Sequence, residues 1–272
     1  MDLPRVAIFD SGVGGLTVTK AVVDALPGAH VRYLGDTARL PYGTKSASTV
    51  ARYALQAASA LVRDGVDVDA MVVACNTASS CALPALQERY GFPVLGVIEP
   101  GARRAIESTK TGRVGVIGTE RTVASEAYHQ ALAALDDRVQ VFAQATPLLV
   151  GLAEEGWFDG PVVNAALRAY LEPWLGGPAR EIDTLVLGCT HYPALKEAIG
   201  RVAAELLQRP VALVDSATAI ADELKTRLPS AITPPTERRQ VELLATDALE
   251  RFERVGGLFF QVDSAALELV DL

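Results

Sequence analysis

Two cysteines in matched surroundings are the residues of this chain best suited to chemistry. Cys75 closes the apolar run Met71-Val72-Val73-Ala74 and is followed by Asn76-Thr77, whereas Cys189 closes the run from Thr184 to Gly188 and is followed by Thr190-His191. Each stands where a β-rich run stops and a helix should begin. Asn76 or Thr77 is the expected cap of the first helix and Thr190 of the second, with Pro193 suited to a first helical turn. A thiol at such a junction meets unsatisfied amide N–H groups and the positive end of a helix dipole, which favour the thiolate and its use as a base or nucleophile. One cysteine of this kind is ordinarily a buried structural residue; two in the same context point to chemistry. Zinc is a rival use of Cys75, Cys189 and His191, but the spacings do not match structural zinc sites, and no metal is expected. Cys81, in the helix after Cys75, reads as packing, and an odd total of 3 cysteines argues against a disulfide framework.

Other polar clusters sit at neighbouring strand ends. Asp10-Ser11-Gly12-Val13-Gly14-Gly15-Leu16-Thr17 looks like a nucleotide loop, yet Thr17 stands where a dinucleotide fingerprint needs Gly, and Asp10 would repel a phosphate. Backbone amides there suit a ligand carboxylate, while Asp10 is placed to bind an amino group or tune a thiol, or simply to cap a helix. In the stretch Gly35 to Gly43, the N–H groups of Tyr42 and Gly43 can receive a carboxylate, and a plain surface turn reads equally well. His191, beside a cysteine, can hold a proton for it. Glu154 and Glu155 are adjacent carboxylates at a helix end.

The elements that must position these groups alternate along the chain. Short β-rich runs at Val6–Phe9, Val31–Leu34, Met71–Ala74, Val94–Ile98, Val114–Ile117, Val139–Phe142, Leu185–Leu187 and Val211–Val214 read as strands buried on both faces, and Ser46–Arg63 carries a helical apolar stripe. A βαβα order predicts parallel sheets flanked by helices, with ligands at the carboxyl ends of the strands. The stretch around Cys75 echoes the one around Cys189, and Arg5-Val6-Ala7-Ile8 echoes Arg113 to Ile117. We therefore expect an internal duplication: two similar parallel-sheet α/β lobes sharing a cleft, residues 1–97 with 210–272 in the first and 98–209 in the second. The tail Pro229–Pro235 and a strand Gln240–Leu244 should return to the first lobe as an edge element.

Composition agrees with a globular protein. Of 272 residues, 50% are hydrophobic and 21% charged, so neither disorder nor coiled coil is expected. With 25 basic against 33 acidic residues the net charge is −8, opposite to the footprint of a general nucleic-acid binder. The absence of a visible signal peptide in Met1–Gly14 and of a long apolar run leads us to expect a cytoplasmic protein with neither membrane nor nucleic-acid partner.

Six blocks, Phe9 to Gly15, Gly35 to Arg39, Pro41 to Gly43, Ala74 to Ala78, Val97 to Gly101 and Gly188 to Pro193, occur in the order found in the glutamate racemases, which the chain resembles over most of its length. The resemblance implies a cofactor-independent isomerase, commonly a homodimer, that supplies D-glutamate for peptidoglycan and hence for cell-wall synthesis and cell shape. It implies that Cys75 and Cys189 are catalytic acid/base residues assisted by Asp10, His191 and Glu154, with Glu155 adjacent and the register there ambiguous. It also implies that Asp10, Ser11, Tyr42, Gly43, Asn76, Thr77, Thr190 and His191 contact the small-molecule substrate, glutamate. Family members often carry Cys-Pro where this chain has Thr146-Pro147, a departure expected to leave the chemistry alone.

The chemistry agrees with that expectation independently. Inverting a stereocentre by proton transfer needs a base on one face and an acid on the other, and a thiolate–thiol pair carries only one charge toward a diacid substrate. The lysines Lys20, Lys45, Lys110, Lys196 and Lys225 lie outside the strand-end motifs, so no Schiff-base lysine and no pyridoxal cofactor is expected. A racemase for aspartate or hydantoins, and a noncatalytic small-ligand binding module with two packed cysteines, are the competing expectations.

Overall fold

Alternation of buried strands and one-sided helices produces two units in the computed structural model, which describes residues 3–63, 67–233, 241–262 and 266–272. The first unit comprises Met1–Val97 and Ala217–Leu272, the second Ile98–Ser216. The chain runs through β1 (Arg5–Asp10), α1 (Leu16–Ala25), β2 (His30–Gly35), α2 (Ala47–Leu61), β3 (Ala70–Val73), α3 (Asn76–Arg89) and β4 (Val94–Gly96). It continues in the second unit with α4 (Ile98–Ser108), β5 (Arg113–Gly118), α5 (Glu120–Ala124), α6 (Ala127–Leu135), β6 (Gln140–Ala145), α7 (Leu148–Glu154), α8 (Pro161–Leu175), β7 (Thr184–Gly188), α9 (Lys196–Leu207) and β8 (Ala212–Asp215). After α10 (Ser216–Arg227), the first unit is completed by β9 (Val241–Ala245), α11 (Leu249–Gly256) and β10 (Leu267–Leu269).

The first sheet has the order β10-β9-β2-β1-β3-β4 and the second β6-β5-β7-β8, every neighbouring pair being parallel. The segment β2-β1-β3-β4 thus has the same order as the whole second sheet. The echoed sequences fall on equivalent strands: Arg5 and Arg113 open β1 and β5, and Cys75 and Cys189 follow β3 and β7. Strands β3, β4 and β7 are buried along their whole length, which is why they read as unbroken apolar runs. In the first unit, Ala7, Phe9, Met71 and Val73 pack with Val50, Ala54, Ala57 and Leu61 of α2 and Ala78, Ala82 and Leu86 of α3. Helix α2 starts where its Ser46 hydroxyl accepts the Thr49 N–H at 3.3 Å. In the second unit Val114, Val116, Val186 and Val214 pack against Ile98, Ala102 and Ala105 of α4 and Tyr128 and Leu132 of α6.

Several expectations are corrected. The run Val94–Ile98 is a strand only through Gly96, and Ile98 already opens α4. The chain returns to the first unit at Ala217 rather than 210, because β8 completes the second sheet by pairing with β7. The C-terminal strand β9 is not an edge: it pairs with β2 on one side and with β10 on the other, and β10 takes the edge. Of that tail, Pro234, Pro235 and Gln240 lie outside the described residues.

Gly15 is required by close approach. A Cβ on Gly15 would stand 2.4 Å from Cβ and 2.7 Å from Cγ of Asp10, so α1 can begin beside the end of β1 only if that position is bare. Gly15→Ala is expected to cost about 1–3 kcal/mol by overpacking. Urea denaturation measures it, and an unchanged midpoint would mean that Asp10 has room to yield.

Candidate active site

Parallel pairing of β1 with β3, in register from Val6 opposite Ala70 to Phe9 opposite Val73, sets Asp10 and Cys75 at adjoining strand ends. In this strand order the neighbouring carboxyl ends of β1 and β3 form the topological switch point, where open α/β sheets bind ligands. Asp10 is completely buried, and its Oδ2 accepts the Gly12 N–H at 2.9 Å. It does not cap α1, whose N-cap is Gly15. Cys75 is buried, its Sγ donating to Ser11 Oγ at 3.4 Å and accepting the Ala78 N–H at 3.4 Å. The cap of α3 is therefore the thiol itself rather than Asn76 or Thr77, which occupy the first turn and are buried there. An amide N–H and the start of a 14-residue helix converge on the sulfur, an environment that stabilises negative charge.

Two buried phenols lie in the same unit near these strand ends. Tyr33 donates to the Gly12 carbonyl at 2.8 Å; burial, with the charges of Asp10 and Cys75 adding to it, pushes its pKa far above the ordinary range. Tyr42 opens the one-turn 3-10 helix Tyr42–Thr44 and donates to Asp36 Oδ2. Burial, followed by the Asp36 charge and hydrogen bond, raises its pKa strongly despite the opposing Arg39 guanidinium. Both remain neutral donors. The N–H groups of Tyr42 and Gly43 are at the open end of that turn, where the first amides have no partner within the helix.

The second unit places its own cysteine at the equivalent strand end. Cys189, just after β7, is buried with Thr190 and His191. Its Sγ is 3.7 Å from His191 Nδ1, and His191 Nε2 is 3.2 Å from Glu154 Oε1, a chain of thiol, imidazole and carboxylate. Burial alone would favour neutral imidazole. The hydrogen bonds and charges of Cys189 and Glu154 outweigh it and raise the His191 pKa from 6.5 to about 10. Glu154 is the carboxylate that reaches the histidine, while Glu155 is exposed at the end of α7. Thr190 is not a helix cap: the chain after Cys189 forms a one-turn 3-10 helix, Tyr192–Leu195, with His191 at its N-cap and Pro193 in its first turn, before α9 begins.

A contact between residues distant in sequence aligns this relay. The Tyr192 hydroxyl donates to the Thr146 carbonyl at 2.8 Å and accepts from the Thr146 hydroxyl at 2.8 Å, tying the turn after Cys189 to the residue just before α7. Thr146, a departure expected to leave the chemistry alone, thus ties through its carbonyl and hydroxyl the segment leading into the helix that carries Glu154 to the turn that carries His191. Tyr192 lies inside the motif already quoted, but nothing local in it names Thr146 as its partner. Cys81 is half-buried against the α2–α3 core, as expected of packing. Among the described residues, no cluster of three or more His, Cys, Asp or Glu side chains is arranged to hold a metal, and no helix is long and apolar enough to cross a membrane.

A pair of parallel-sheet α/β units, each with a thiol at the same strand end, is the class that this fold and site define. Residues 11–224 match the Asp/Glu/hydantoin racemase family, and the chain belongs to it. It is 50% identical over 261 residues to a glutamate racemase of Geobacter metallireducens, covering 95% of this chain and 93% of that one. Its structure matches a glutamate racemase isoform from Bacillus anthracis with a TM-score of 0.89 at 36% identity, over 100% of this chain and 99% of the other. It also matches the Francisella tularensis glutamate racemase solved in complex with D-glutamate, with a TM-score of 0.88 at 33% identity, over 100% and 98% of the two chains.

The relay predicts a pH signature. His191 is expected to titrate near pH 10 in the folded protein, and Glu154→Gln to bring that midpoint down; NMR of the imidazole C–H protons reads both. Because the folded pKa is raised, the stabilisation is complete below about pH 6.5 and is lost as the pH climbs toward about 10. A wild-type midpoint at the ordinary value would contradict the relay.

Proposed function

We propose that this protein is a glutamate racemase that interconverts L- and D-glutamate by proton transfer between Cys75, Cys189 and the α-carbon, supplying D-glutamate for peptidoglycan in the cytoplasm. The observation that carries the reading is the recurrence of a buried thiol after β3 and β7, equivalent strands of the four-strand order that the two sheets share. The relatives named above support glutamate as the substrate. For one enantiomer, one thiolate takes the α-proton and the other cysteine, as thiol, delivers its own proton to the other face of the α-carbon. The product has the inverted configuration, and the thiol and thiolate have exchanged states. The reverse reaction starts from that exchanged pair. The Ala78 amide supports charge on Cys75, and the His191 imidazolium, held by Glu154, donates its Nδ1–H toward the sulfur of Cys189. In this reading the amides and hydroxyls of Ser11, Tyr42–Gly43, Asn76–Thr77 and Thr190 receive the carboxylates, Asp10 receives the ammonium group, and the protein works as a homodimer on a small molecule, with neither nucleic acid nor membrane as partner.

The test is incubation with L-glutamate in deuterated water, following optical rotation and α-deuterium together. Rotation should fall to zero as deuterium enters. Cys75→Ala and Cys189→Ala should each reduce racemisation by about 10²–10⁴-fold or more, and substantial turnover by either folded variant would end the two-base scheme. Asp10→Asn and His191→Asn should slow the two directions unequally, since each assists one thiol. Turnover of aspartate or a hydantoin in place of glutamate would reassign the substrate, and no turnover of any of them would favour a binding module.

A further inference from the structure

The turn bearing Tyr42 and Gly43 does not hold itself in place. Its anchor is Asp36, fully buried at the end of β2, whose Oδ2 takes the Tyr42 hydroxyl and, at 2.7 Å, Nε of Arg39. The other carboxylate oxygen takes a hydrogen bond at 2.9 Å from the hydroxyl of Thr246, a residue 210 positions later in sequence, just past β9. That same hydroxyl accepts the Ala38 N–H at 2.9 Å. Beside it, the Thr37 hydroxyl donates to the Asp247 carbonyl at 2.6 Å and accepts the Asp247 N–H at 2.9 Å, and the Thr246 N–H reaches the Gly35 carbonyl at 3.3 Å. Five hydrogen bonds thus clamp residues 35–38 to 246–247. A buried carboxylate stripped of one donor is strongly penalised and relaxes toward whatever donor it can find, which would drag Tyr42 with it.

We propose that Thr246 is a positioning residue for substrate binding, acting through Asp36 and Tyr42 to hold the Tyr42–Gly43 amides where they receive a substrate carboxylate. The inference rests on the racemase reading above. Thr246 touches no reacting atom; its effect is on binding, so it should move KM and leave the chemical step nearly alone.

Three variants test it. Thr246→Val removes the hydroxyl at nearly constant shape and should raise KM for both enantiomers about tenfold, the size of one hydrogen bond to a charged group, with kcat within about threefold. Thr246→Ser keeps the hydroxyl and should restore KM. Tyr42→Phe should raise KM similarly, and the double variant with Thr246→Val should lose less than the product of the two, because both act through Asp36. Peptide-level hydrogen exchange over residues 36–45 should quicken in Thr246→Val. An unchanged KM in Thr246→Val, a Ser variant as impaired as Val, independent losses in the double variant, or unchanged exchange would each overturn the proposal; so would a drop in unfolding temperature with KM intact. If the wild type fails to racemise glutamate, the functional reading falls, while hydrogen exchange still decides whether Thr246 holds the turn.

Discussion

Everything at this site depends on what happens where a parallel strand stops and the next helix starts. In a parallel sheet the carboxyl ends of neighbouring strands lie together, and each following helix leaves its first N–H groups without partners. A residue at that junction is held by backbone on both sides and faces donors that its own chain cannot satisfy. Cys75 occupies such a junction and serves as the cap of α3, taking the Ala78 N–H on sulfur. The pairing of β3 with β1 then adds Asp10 and Ser11 from the adjoining strand end. No long-range side-chain contact is needed to place the thiol; the sheet does it.

The second unit repeats the strand order but not the solution. Cys189 precedes only a one-turn 3-10 helix, which brings little dipole, and the cationic support comes from His191. That imidazole is buried, which by itself would discharge it, so a carboxylate must stand behind it; Glu154 does, from α7. The bond between Tyr192 and Thr146 keeps the two segments in register. Cys75 thus relies on a full helix terminus and a neighbouring carboxylate, Cys189 on a histidine–glutamate relay. In the reaction proposed above each thiol holds the charge in turn, and each direction has its own assisting residues.

Buried polar groups also explain why the C-terminal segment returns to the first unit. Strand β9 adds to the sheet beside β2, and the residues just beyond it satisfy Asp36 and the amide of Ala38. The last part of the chain thereby fixes the conformation of a turn near its beginning.

Much of this was legible in the chain itself. Unbroken apolar runs marked β3, β5 and β7 because strands covered on both faces have no polar side to show, and the shared phase of Cys75 and Cys189 within those runs marked the thiols. The neighbours of each thiol were less legible: position alone made Asn76 or Thr77 the cap of α3, whereas the sulfur of Cys75 takes that place, because the cap is chosen by backbone geometry that adjacent residues share. What only the tertiary structure decided were partners distant in sequence and choices between equivalent neighbours: Glu154 over Glu155, Thr146 beneath Tyr192, Thr246 on Asp36, and β8 in the second sheet rather than the first. Local spacing carries backbone periodicity and therefore reveals elements and their ends. A hydrogen bond across 46 or 210 residues depends instead on how strands are ordered and how helices pack, and that order is settled by the burial of the whole chain at once.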